Sequence, residues 1–400
     1  MEADGLRVYR NPRAAPRAEP YGPARAQVLD QAGFDAAERE IVRWPGHAET
    51  PLRALPGLAA RLRIAALLYK DEAGRFGLKS FKALGGAYAV FRVLKKIAEA
   101  RNGGRPVDSR QLLAGACSDI VRAVTVTCAT DGNHGRSVAW GARLFGCRCV
   151  IYVHATVSEG RCAAIAHYGA EVIRVPGNYD DAVRHAADEA RRNGWTVVSD
   201  TTYEGYREIP IDVMHGYGVM AREIVRQTGD PPPTHVFVQA GVGALAASVC
   251  AAFWLAWGAR RPQLVVVEPM QADCFYQSAV AGRPVAVTGD LDTVMAGLAC
   301  GEVSPLAWEI VDAGASAYAV VDDRFALDAM RALASPAPGD PAIVAGETGA
   351  AGLAALLAAE GNAELRRALE LDAQSRVLLI GSEGDTDPQL YRKIVGGSAP

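Results

Sequence analysis

The sequence predicts an α/β fold built from mostly parallel sheets. From residue 121 onward, short runs rich in β-branched residues alternate with segments of helical periodicity, which is the pattern of parallel strands joined by crossover helices. The chain has 400 residues, 50% of them hydrophobic, and this exceeds what one ordinary core supports. We therefore expect two lobes, each with a twisted, mostly parallel sheet flanked by helices, and a cleft between them.

The individual elements follow from periodicity and from turn residues. Strand candidates are short apolar runs bounded by turns: residues 123–128, 148–153, 171–175, 196–199, 234–239, 263–267, 317–321 and 377–380. Helix candidates carry apolar residues at helical spacing: residues 135–145, 159–168, 179–193, 244–257 and 346–360. A Ser or an Asn stands near the start of the second and third helices, as expected of N-caps.

Three clusters of turn-forming residues, at 102–106, 230–233 and 335–341, mark surface breaks in the chain. The middle cluster separates the strand–helix units before Asp200 from those after Thr234, so it is the expected seam between lobes. We predict a large domain of residues 1–88 and 204–400 and a small domain of residues 89–203.

The longest uncharged run, residues 236–259, is long enough to span a bilayer. Gly241 and Gly243 interrupt it, so a strand, a turn and a helix are favoured over a membrane span. The first 20 residues are rich in Arg and Pro and lack the apolar stretch of a secretory signal. We expect a cytoplasmic protein that does not enter a membrane.

Composition points to a small-molecule partner. Lys and Arg total 42 against 45 Asp and Glu, and a net charge of −3 gives no case for nucleic acid or an anionic membrane. The eight cysteines include no Cys-x-x-Cys pair and have no His cluster nearby, so no metal site is predicted.

The first candidate site centres on Lys82, which follows Phe81 and heads a Gly-rich, apolar segment. Apolar surroundings remove the solvation of an ammonium and free the amine to form a Schiff base. A lone lysine more often extends its amine to the surface, so Lys82 needs support from other motifs.

The second candidate site is the turn of residues 129–135, between a predicted strand and a predicted helix. Such a turn offers backbone N–H groups and a helix N-terminus to an anion such as a substrate carboxylate. Thr130, Asp131 and His134 are the candidate substrate-binding residues, and Asn133 could donate to a phenolic oxygen. The alternative is a plain turn in which Asp, Gly and Asn supply the dihedral angles and the cap.

The third candidate site is the loop of residues 239–245. Closely spaced glycines let the backbone approach a phosphate, whose charge the dipole of the following helix favours. The loop lacks the third glycine of a dinucleotide fingerprint. Its candidate phosphate-binding residues are Gly241, Val242, Gly243 and Ala244. A polar turn at 380–387 is a fourth candidate, and its alternative is an ordinary capping loop.

In their order along the chain, these motifs resemble the fold-type II pyridoxal-phosphate enzymes, the family of tryptophan synthase β, cysteine synthase and the serine and threonine dehydratases. The resemblance covers roughly residues 45–395 and is closer still to the diaminopropionate ammonia-lyase group. The segments that carry it are residues 76–88, 129–135, 239–244, 295–302 and 383–387. It implies a pyridoxal 5'-phosphate cofactor, an active site in the cleft between the lobes, and a homodimer.

The resemblance also implies roles for particular residues. Lys82 would bind the cofactor covalently, Asn133 would contact its ring oxygen, and residues 241–244 would hold its phosphate. Asp131 stands where the dehydratases carry a small residue, and a carboxylate there is a natural partner for a second amino group. Asp200 matches an acidic position of the ammonia-lyases, and its alternative is a strand-end cap.

The implied reaction is elimination of ammonia from 2,3-diaminopropionate, giving pyruvate and ammonia. Lys82 is the expected base on one face of the substrate Cα, and Asp131 could reach the other face, which would explain turnover of both enantiomers. Asp200 would bind the distal ammonium or assist proton transfer.

One position departs from the family pattern. The hydroxyl that faces the pyridine nitrogen falls at Gly381 in this chain, which leaves Ser382 as the candidate. A neutral hydroxyl would favour elimination over transamination. Cys274 and Cys300 match cysteine positions of the ammonia-lyases, for which a disulfide and a pair of buried thiols are both open.

Two other interpretations stay open. Another β-elimination or β-replacement, as in a serine or threonine dehydratase or a specialised biosynthetic enzyme, would use the same cofactor residues, although Asp131 argues against the simple dehydratases. A non-catalytic ligand sensor or scaffold is the alternative from a different class. A sensor could lose Lys82 freely, so the presence of Lys82 together with Asn133 and the loop of residues 241–244 argues against it.

Overall fold

Strands and crossover helices alternate in the computed structural model, which describes residues 1–3, 5–130 and 132–396. In chain order the strands are β1 (Glu2–Ala3), β2 (Leu6–Arg10), β3 (Leu52–Ala54), β4 (Ala66–Asp71), β5 (Thr125–Ala129), β6 (Arg148–His154), β7 (Glu171–Val175), β8 (Thr196–Val197), β9 (His235–Gln239), β10 (Gln263–Pro269), β11 (Ala315–Val321) and β12 (Arg376–Gly381).

The α-helices pack against these strands. In chain order they are α1 (Pro23–Ala26), α2 (Gln31–Ile41), α3 (Pro56–Arg61), α4 (Lys82–Arg101), α5 (Ser109–Leu113), α6 (Ser118–Arg122), α7 (Asn133–Phe145), α8 (Glu159–Ala166), α9 (Tyr179–Asn193), α10 (Glu208–Thr228), α11 (Ala244–Trp257), α12 (Cys274–Ala281), α13 (Pro305–Gly314), α14 (Asp323–Ala334), α15 (Ala351–Ala358), α16 (Ala363–Ala368) and α17 (Pro388–Val395).

The chain divides into two compact units. The large unit consists of residues 1–31, 49–74 and 220–400, and the small unit consists of residues 32–48 and 75–219. The division at 219/220 falls inside the continuous helix α10 (Glu208–Thr228) and not at the predicted seam of residues 230–233. Residues 230–233 instead form part of the connection that leads into β9.

The small unit also takes in residues 75–88 and 204–219, which the sequence-based domains assign to the large domain. Residues 75–88 belong to the small unit because α4, which begins at Lys82, packs closely on α7. A Cβ on Gly141 of α7 would lie only 2.7 Å from the Cα of Ala87 in α4. The division into a large domain of residues 1–88 and 204–400 and a small domain of residues 89–203 stays a prediction.

The large unit contains an eight-stranded sheet in the order β1-β2-β11-β10-β9-β12-β4-β3. Its central strands β11, β10, β9, β12 and β4 are parallel, whereas β2 and β3 pair antiparallel with the strands beside them. Parallel strands end at the same edge of a sheet, so the residues that follow β9, β10 and β12 come together there.

The small unit contains a four-stranded, all-parallel sheet in the order β7-β6-β5-β8. β5 and β8 are neighbours, with Thr127 opposite Val197. Because both strands run in the same direction, the turn after β5 and the segment after β8 lie at one edge of this sheet.

The sequence-based elements agree closely with the structure. All eight predicted strands are present, each with bounds within two residues of the prediction, and the fold is α/β as expected. Helices α9 and α11 have the predicted bounds. The predicted caps are present as well, since the side chains of Ser158 and Asn178 accept backbone N–H groups at the starts of α8 and α9.

The helix predicted over residues 346–360 was wrong at its start, because α15 begins at Ala351. Gly346 and Gly349 lie in a turn against the segment after β12. A Cβ on Gly346 would be 2.5 Å from the carbonyl oxygen of Gly384, and one on Gly349 would be 2.6 Å from that of Glu383. Because of this close backbone approach, α15 begins five residues later than predicted. The periodicity of apolar residues in the sequence gives no indication of such a contact.

Strands β1 to β4 were not predicted. In β4 the buried Lys70 interrupts the apolar run and hides the strand pattern. The Lys70 ammonium donates to Glu223 Oε2 at 2.7 Å, to the carbonyl oxygen of Thr50 at 2.7 Å and to Gln227 Oε1 at 3.0 Å. These partners compensate the cost of burying the Lys70 ammonium. The sequence alone does not show which residues will pair with this lysine.

In the part of the chain that the structure describes, no helix is both long enough and apolar enough to cross a membrane. The uncharged run of residues 236–259 forms strand β9, a glycine turn and the 14-residue helix α11, as predicted.

Candidate active site

The predicted site residues lie at strand ends and helix starts in both units. Those of the small unit are Lys82, Thr130, Asn133, His134 and Asp200, and those of the large unit are Gly241, Val242, Gly243, Ala244 and Ser382. Asp131, predicted as a base and as a substrate-binding residue, lies outside the described residues.

Lys82 is the first residue of α4, and its amine faces a carboxylate. Nζ of Lys82 donates to Oδ2 of Asp200 at 2.5 Å, with side chains that are 22% and 14% exposed. Phe81, the preceding residue, packs its ring 4.5 Å from that of Tyr217. The expectation of purely apolar surroundings is therefore incomplete, because the opposite charge of Asp200 favours the ammonium form of Lys82.

Glycines give α4 its close neighbours. A Cβ on Gly85 would lie 2.7 Å from the carbonyl oxygen of Val213 in α10, and one on Gly86 would lie 2.9 Å from Cβ of Ser137 in α7. Ser137 Oγ donates a 2.6 Å hydrogen bond to the carbonyl oxygen of Lys82 itself. The glycine pair after Lys82 thus lets two helices fix the start of α4.

The turn between β5 and α7 is organised by its own hydrogen bonds. Oγ1 of Thr130 accepts from the backbone N–H groups of Gly132 at 3.0 Å and Gly135 at 3.1 Å, which caps the start of α7. Oδ1 of Asn133 accepts from the Arg136 guanidinium at 2.8 Å. This contact orients the Asn133 amide and suits its nitrogen to the predicted role as a donor.

His134 connects this turn to the segment after β8. Its Nε2 lies 2.8 Å from the carbonyl oxygen of Val198, and its Nδ1 lies 3.6 Å from Oδ2 of Asp200. The ring is buried, with a side chain 7% exposed. The prediction from sequence gave His134 a role in substrate binding, whereas both of its ring nitrogens face groups of the protein.

Asp200 is held as an anion by its surroundings. Burial raises the pKa of its carboxyl, but the charges of His134 and Lys82 and the hydrogen bond from Lys82 lower it more, so that the pKa lies well below its usual range. The carboxylate that accompanies Lys82 is therefore ionised at neutral pH.

The large unit contributes the glycine loop between β9 and α11. Gly243 has φ of 97°, in the left-handed region, and a Cβ on it would lie 3.0 Å from that of Ala307. The backbone N–H groups of residues 241–243 donate to no other group within the described chain, while the carbonyl oxygen of Val242 accepts from the N–H of Ser304 at 2.9 Å. The loop therefore presents unused donors next to a helix N-terminus, an arrangement suited to an anion.

Ser382, which follows β12, is connected to this loop through Gln239. Nε2 of Gln239 donates to Oγ of Ser382 at 2.6 Å and to the carbonyl oxygen of Ile380 at 2.9 Å. The ring of Tyr69 occupies the space where a side chain on Gly381 would lie, so this position has no room for a hydroxyl-bearing residue. Ser382 remains the hydroxyl candidate.

The fourth motif, at residues 380–387, acts in part as a cap, which was its alternative interpretation. Oδ1 of Asp387 accepts from the backbone N–H of Leu390 at 3.1 Å at the start of α17. Oε1 of Glu383 accepts from the backbone N–H of Thr348 at 3.3 Å.

Glu268, at the end of β10, was not predicted to matter. Its two carboxyl oxygens accept from the backbone N–H groups of Phe275 at 2.7 Å and Tyr276 at 2.8 Å, at the start of α12. Burial raises the pKa of Glu268 to about 8.

Cys274 and Cys300 are both thiols here, and no disulfide is formed among the described cysteines.

Of the two buried residues Glu268 and Tyr217, a sequence pattern indicates the first but not the second. Glu268 is the one charged residue in the apolar segment Gln263–Pro269, and such an interruption predicts a buried, partnered carboxyl. Tyr217 gives no signal, because it lies inside an ordinary amphipathic helix. Its hydroxyl is buried without a hydrogen-bond partner among the described residues, and burial raises its pKa well above the usual range, with a smaller opposing effect of the Lys82 charge.

A lysine at a helix start and a glycine loop with unused N–H donors are, in an α/β protein, the means by which an enzyme holds a phosphorylated aldehyde cofactor. This is a cofactor-dependent enzyme. The chain belongs to the pyridoxal-phosphate-dependent enzyme family, whose model matches residues 43–383.

Its relatives narrow the comparison. It is 42% identical over 363 residues to diaminopropionate ammonia-lyase of Salmonella typhimurium, covering 88% of this chain and 89% of that one. The crystal structure of diaminopropionate ammonia-lyase from Escherichia coli with D-serine has a TM-score of 0.88 and 37% identity, covering 98% of this chain and 96% of that chain. The same enzyme in complex with an aminoacrylate-PLP azomethine reaction intermediate has a TM-score of 0.85 and 38% identity over the same shares.

The residues present fit pyridoxal phosphate. In the large unit, the unused N–H groups of residues 241–243 suit a phosphate dianion. Nearby, Oε1 of Gln239 and Oγ1 of Thr348 are buried without hydrogen-bond partners in the described chain. In the small unit, Lys82 supplies the amine. Buried polar atoms without partners are costly, so these atoms are consistent with a bound polar group.

Proposed function

We propose that this protein catalyses the pyridoxal-phosphate-dependent α,β-elimination of ammonia from 2,3-diaminopropionate, giving pyruvate and ammonia. The 2.5 Å contact between Lys82 Nζ and Asp200 Oδ2 carries the proposal. It sets a carboxylate beside the amine that would hold the cofactor, and a diamino substrate brings a second ammonium for which a carboxylate is the natural partner. The relatives named diaminopropionate ammonia-lyase support it.

The cofactor would be held by residues of known geometry. Lys82 would bind it covalently through Nζ, Asn133 would donate to its phenolic oxygen, and Ser382 would face its pyridine nitrogen with a neutral hydroxyl. Its phosphate would be bound by the N–H groups of Gly241, Val242, Gly243 and Ala244. When bound, the cofactor accepts the electron pair that remains on the substrate after the α-proton leaves.

Protons would be moved by three residues of this chain. Nζ of Lys82, once exchanged for the substrate amine, takes the α-proton on one face of the substrate Cα. Asp131 takes it on the other face, a role that the sequence and the family resemblance support. Asp200 binds the distal ammonium of the substrate and assists the proton transfer by which this group leaves as ammonia. One diaminopropionate and one water thereby give one pyruvate and two ammonia.

The substrate carboxylate would be bound at the turn of residues 129–135. Thr130 accepts from the N–H groups of Gly132 and Gly135 and thereby caps this turn. Thr130, Asp131 and His134 therefore remain the proposed substrate-binding residues, with Thr130 and His134 acting through the shape of the turn.

The test is turnover by the purified, cofactor-loaded protein. L- and D-2,3-diaminopropionate are offered beside L-serine and L-threonine, and keto acid and ammonia are measured. Preference for the diamino acid with two ammonia per pyruvate is the expected result. Preference for the hydroxy amino acids would favour a dehydratase, and inactivity on all four with a borohydride-reducible cofactor would favour a specialised biosynthetic substrate.

Two variants complete the test. Lys82→Ala should abolish the covalent cofactor and the activity together. Lys96→Ala, on the same helix but with a side chain 72% exposed, is the matched control and should leave both unchanged. A Lys82→Ala variant with parental activity would refute the assigned role, and a protein that never binds the cofactor covalently would favour the ligand sensor.

We further propose that the enzyme is a cytoplasmic homodimer, as the family resemblance implies. Light scattering on the cofactor-loaded protein, after size-exclusion chromatography, gives its mass directly. A mass equal to one chain of 42.2 kDa at working concentration would contradict the dimer. Cell fractionation tests the location.

A further inference from the structure

The side chain of Gln239, the last residue of β9, has a fixed orientation. Its Nε2 donates to the carbonyl oxygens of Ile380 at 2.9 Å and Thr348 at 3.0 Å. A carbonyl oxygen only accepts hydrogen bonds, so the nitrogen of the amide and not its oxygen must face these two groups. The amide of Gln239 therefore cannot be turned over in these surroundings.

This orientation decides how the hydroxyl of Ser382 is used. Nε2 of Gln239 also lies 2.6 Å from Oγ of Ser382. An amide nitrogen donates and does not accept, so the serine oxygen is the acceptor in this contact and its own proton points elsewhere. No hydrogen bond in the described part of the chain uses that proton, so the Ser382 hydroxyl is a donor with its proton available.

Burial makes this available proton significant. Gln239 and Ser382 are each 1% exposed. They are brought together because β9 and β12 are neighbouring parallel strands, with Phe237 opposite Leu379, and both residues lie at the carboxyl ends of these strands. A buried donor without an acceptor is costly, so the site is built to receive an acceptor from a bound molecule.

We propose that Gln239 is a positioning residue for the cofactor: by donating to Ser382 Oγ, it turns the serine proton toward the pyridine nitrogen of pyridoxal phosphate. The placement of Ser382 at this nitrogen rests on the proposed function. An unprotonated pyridine nitrogen accepts one hydrogen bond, and a serine hydroxyl is too weak an acid to transfer its proton. Gln239 thereby keeps this nitrogen neutral, which is the state that favours elimination over transamination.

The carboxyl group next in sequence does not compete for this role. A carboxylate at the pyridine nitrogen would favour its protonated form, and Glu383 directly follows Ser382. However, Oε1 of Glu383 accepts from the backbone N–H of Thr348 at 3.3 Å, and its Oε2 accepts from the hydroxyl of Thr386 at 3.3 Å. Both of its carboxyl oxygens are engaged within the chain, whereas the proton of Ser382 is not.

The first test measures the state of the pyridine nitrogen. The protein is loaded with pyridoxal phosphate that carries nitrogen-15 in its ring, because the chemical shift separates protonated, hydrogen-bonded and free nitrogen. We expect a neutral, hydrogen-bonded nitrogen in the parent protein and a signal closer to the free form in both Ser382→Ala and Gln239→Met. Methionine keeps the length of the glutamine side chain and removes its N–H donors.

Two results of this measurement would overturn the proposal. One is a protonated nitrogen in the parent protein, as expected if it donated to Oε1 of Gln239, which has no partner among the described residues. The other is a signal that responds to Ser382→Ala but not to Gln239→Met, because Gln239 would then have no influence on the serine proton.

The second test asks whether Gln239 acts through Ser382. Loss of one neutral hydrogen bond should raise the Kd of the resolved apoprotein for pyridoxal phosphate roughly threefold to tenfold in either single variant. The double variant should bind no more weakly than Ser382→Ala alone, whereas additive losses would mean that Gln239 has a merely structural role. Gln263→Met is the matched control, because Gln263 begins β10 and its side chain bonds to Glu370. It should leave both measurements unchanged.

Both tests are independent of turnover, so they decide the role of Gln239 even if the protein acts on no diamino acid. A pyridine signal that does not respond to Ser382→Ala would overturn the placement of Ser382 and this inference together, and would leave the proposed reaction to the turnover assay. If Gln239→Met does not fold, as judged by circular dichroism, Gln239→Leu replaces it in both tests.

Discussion

The hydroxyl of Tyr206 accepts a 2.8 Å hydrogen bond from the backbone N–H of Ser199. The same hydroxyl donates to the carbonyl oxygen of Val197 at 3.0 Å. Ser199 directly precedes Asp200, so one phenol fixes the backbone that carries the acidic residue beside Lys82. The tether joins Val197, the last residue of β8, to the loop that follows this strand.

Tyr206→Phe should therefore reduce both stability and turnover. Removing the hydroxyl leaves a backbone donor and acceptor without their partner, which costs about 1 kcal/mol or more, and frees Asp200 to move. The thermal midpoint and kcat on 2,3-diaminopropionate measure the two effects. Tyr203→Phe is the matched control, because Tyr203 stacks on Tyr206 at 4.7 Å but is 51% exposed. Equal effects of the two substitutions would contradict the tether.

Gly85→Ala should destabilise the protein even though alanine is the better helix former. The new Cβ would meet the carbonyl oxygen of Val213 at 2.7 Å, and overpacking of this kind costs about 1–3 kcal/mol, more than the roughly 1 kcal/mol gained in helix propensity. Gly160→Ala is the control, because Gly160 lies in α8 and a Cβ there would meet Ser158 Oγ only at an ordinary contact distance of 3.9 Å. We expect the thermal midpoint to fall for Gly85→Ala and to stay or rise for Gly160→Ala.

Gly243→Ala should weaken cofactor binding. The residue has φ of 97°, and an added Cβ would overlap the Phe275 ring, so the loop must shift its N–H groups. A loss of about 1.4 kcal/mol would raise the Kd for pyridoxal phosphate tenfold. Equilibrium dialysis of the resolved apoprotein measures it. Gly282→Ala, at φ of 71° after α12, introduces similar backbone strain away from the loop and should leave that Kd unchanged.

Glu268 should make the protein less stable as pH rises. Its pKa is about 8 in the folded protein, above the ordinary carboxyl value, so between about pH 5 and 8 the folded state binds a proton that the unfolded state has lost. The stabilisation that comes from this proton is complete at low pH and is lost as pH rises through about 8. Folding stability, read from the thermal midpoint, should decline over this range.

Glu268→Gln removes that proton and should flatten the pH dependence. It also replaces one carboxyl oxygen by an N–H donor facing a backbone N–H, so the variant should be less stable than the parent at pH 5. The difference between the two midpoints should then narrow toward pH 8. A constant difference from pH 5 to 8 would show that Glu268 does not titrate there.

Much of the fold could be predicted because its signals are local. The strands β5 to β12 are apolar runs bounded by turn residues, and α9 and α11 have distinct caps and breaks. β4 could not be predicted, because its Lys70 is compensated by Glu223, 153 residues away. The start of α15 depends likewise on Glu383 and Gly384, which approach it only in the folded chain.

The candidate site likewise combines features that the sequence predicts with contacts that only the folded structure shows. By itself the sequence determined the α/β class, the cofactor family and the residue types at positions 82, 133 and 241–244, because each motif is a short run with its own backbone chemistry. Only the tertiary structure decided that Asp200 faces Lys82, that His134 faces Asp200 and that Tyr69 excludes a side chain at Gly381. The physical reason is that these contacts join residues far apart in sequence, and their protonation depends on burial and on neighbouring charge, which no single segment of the chain contains.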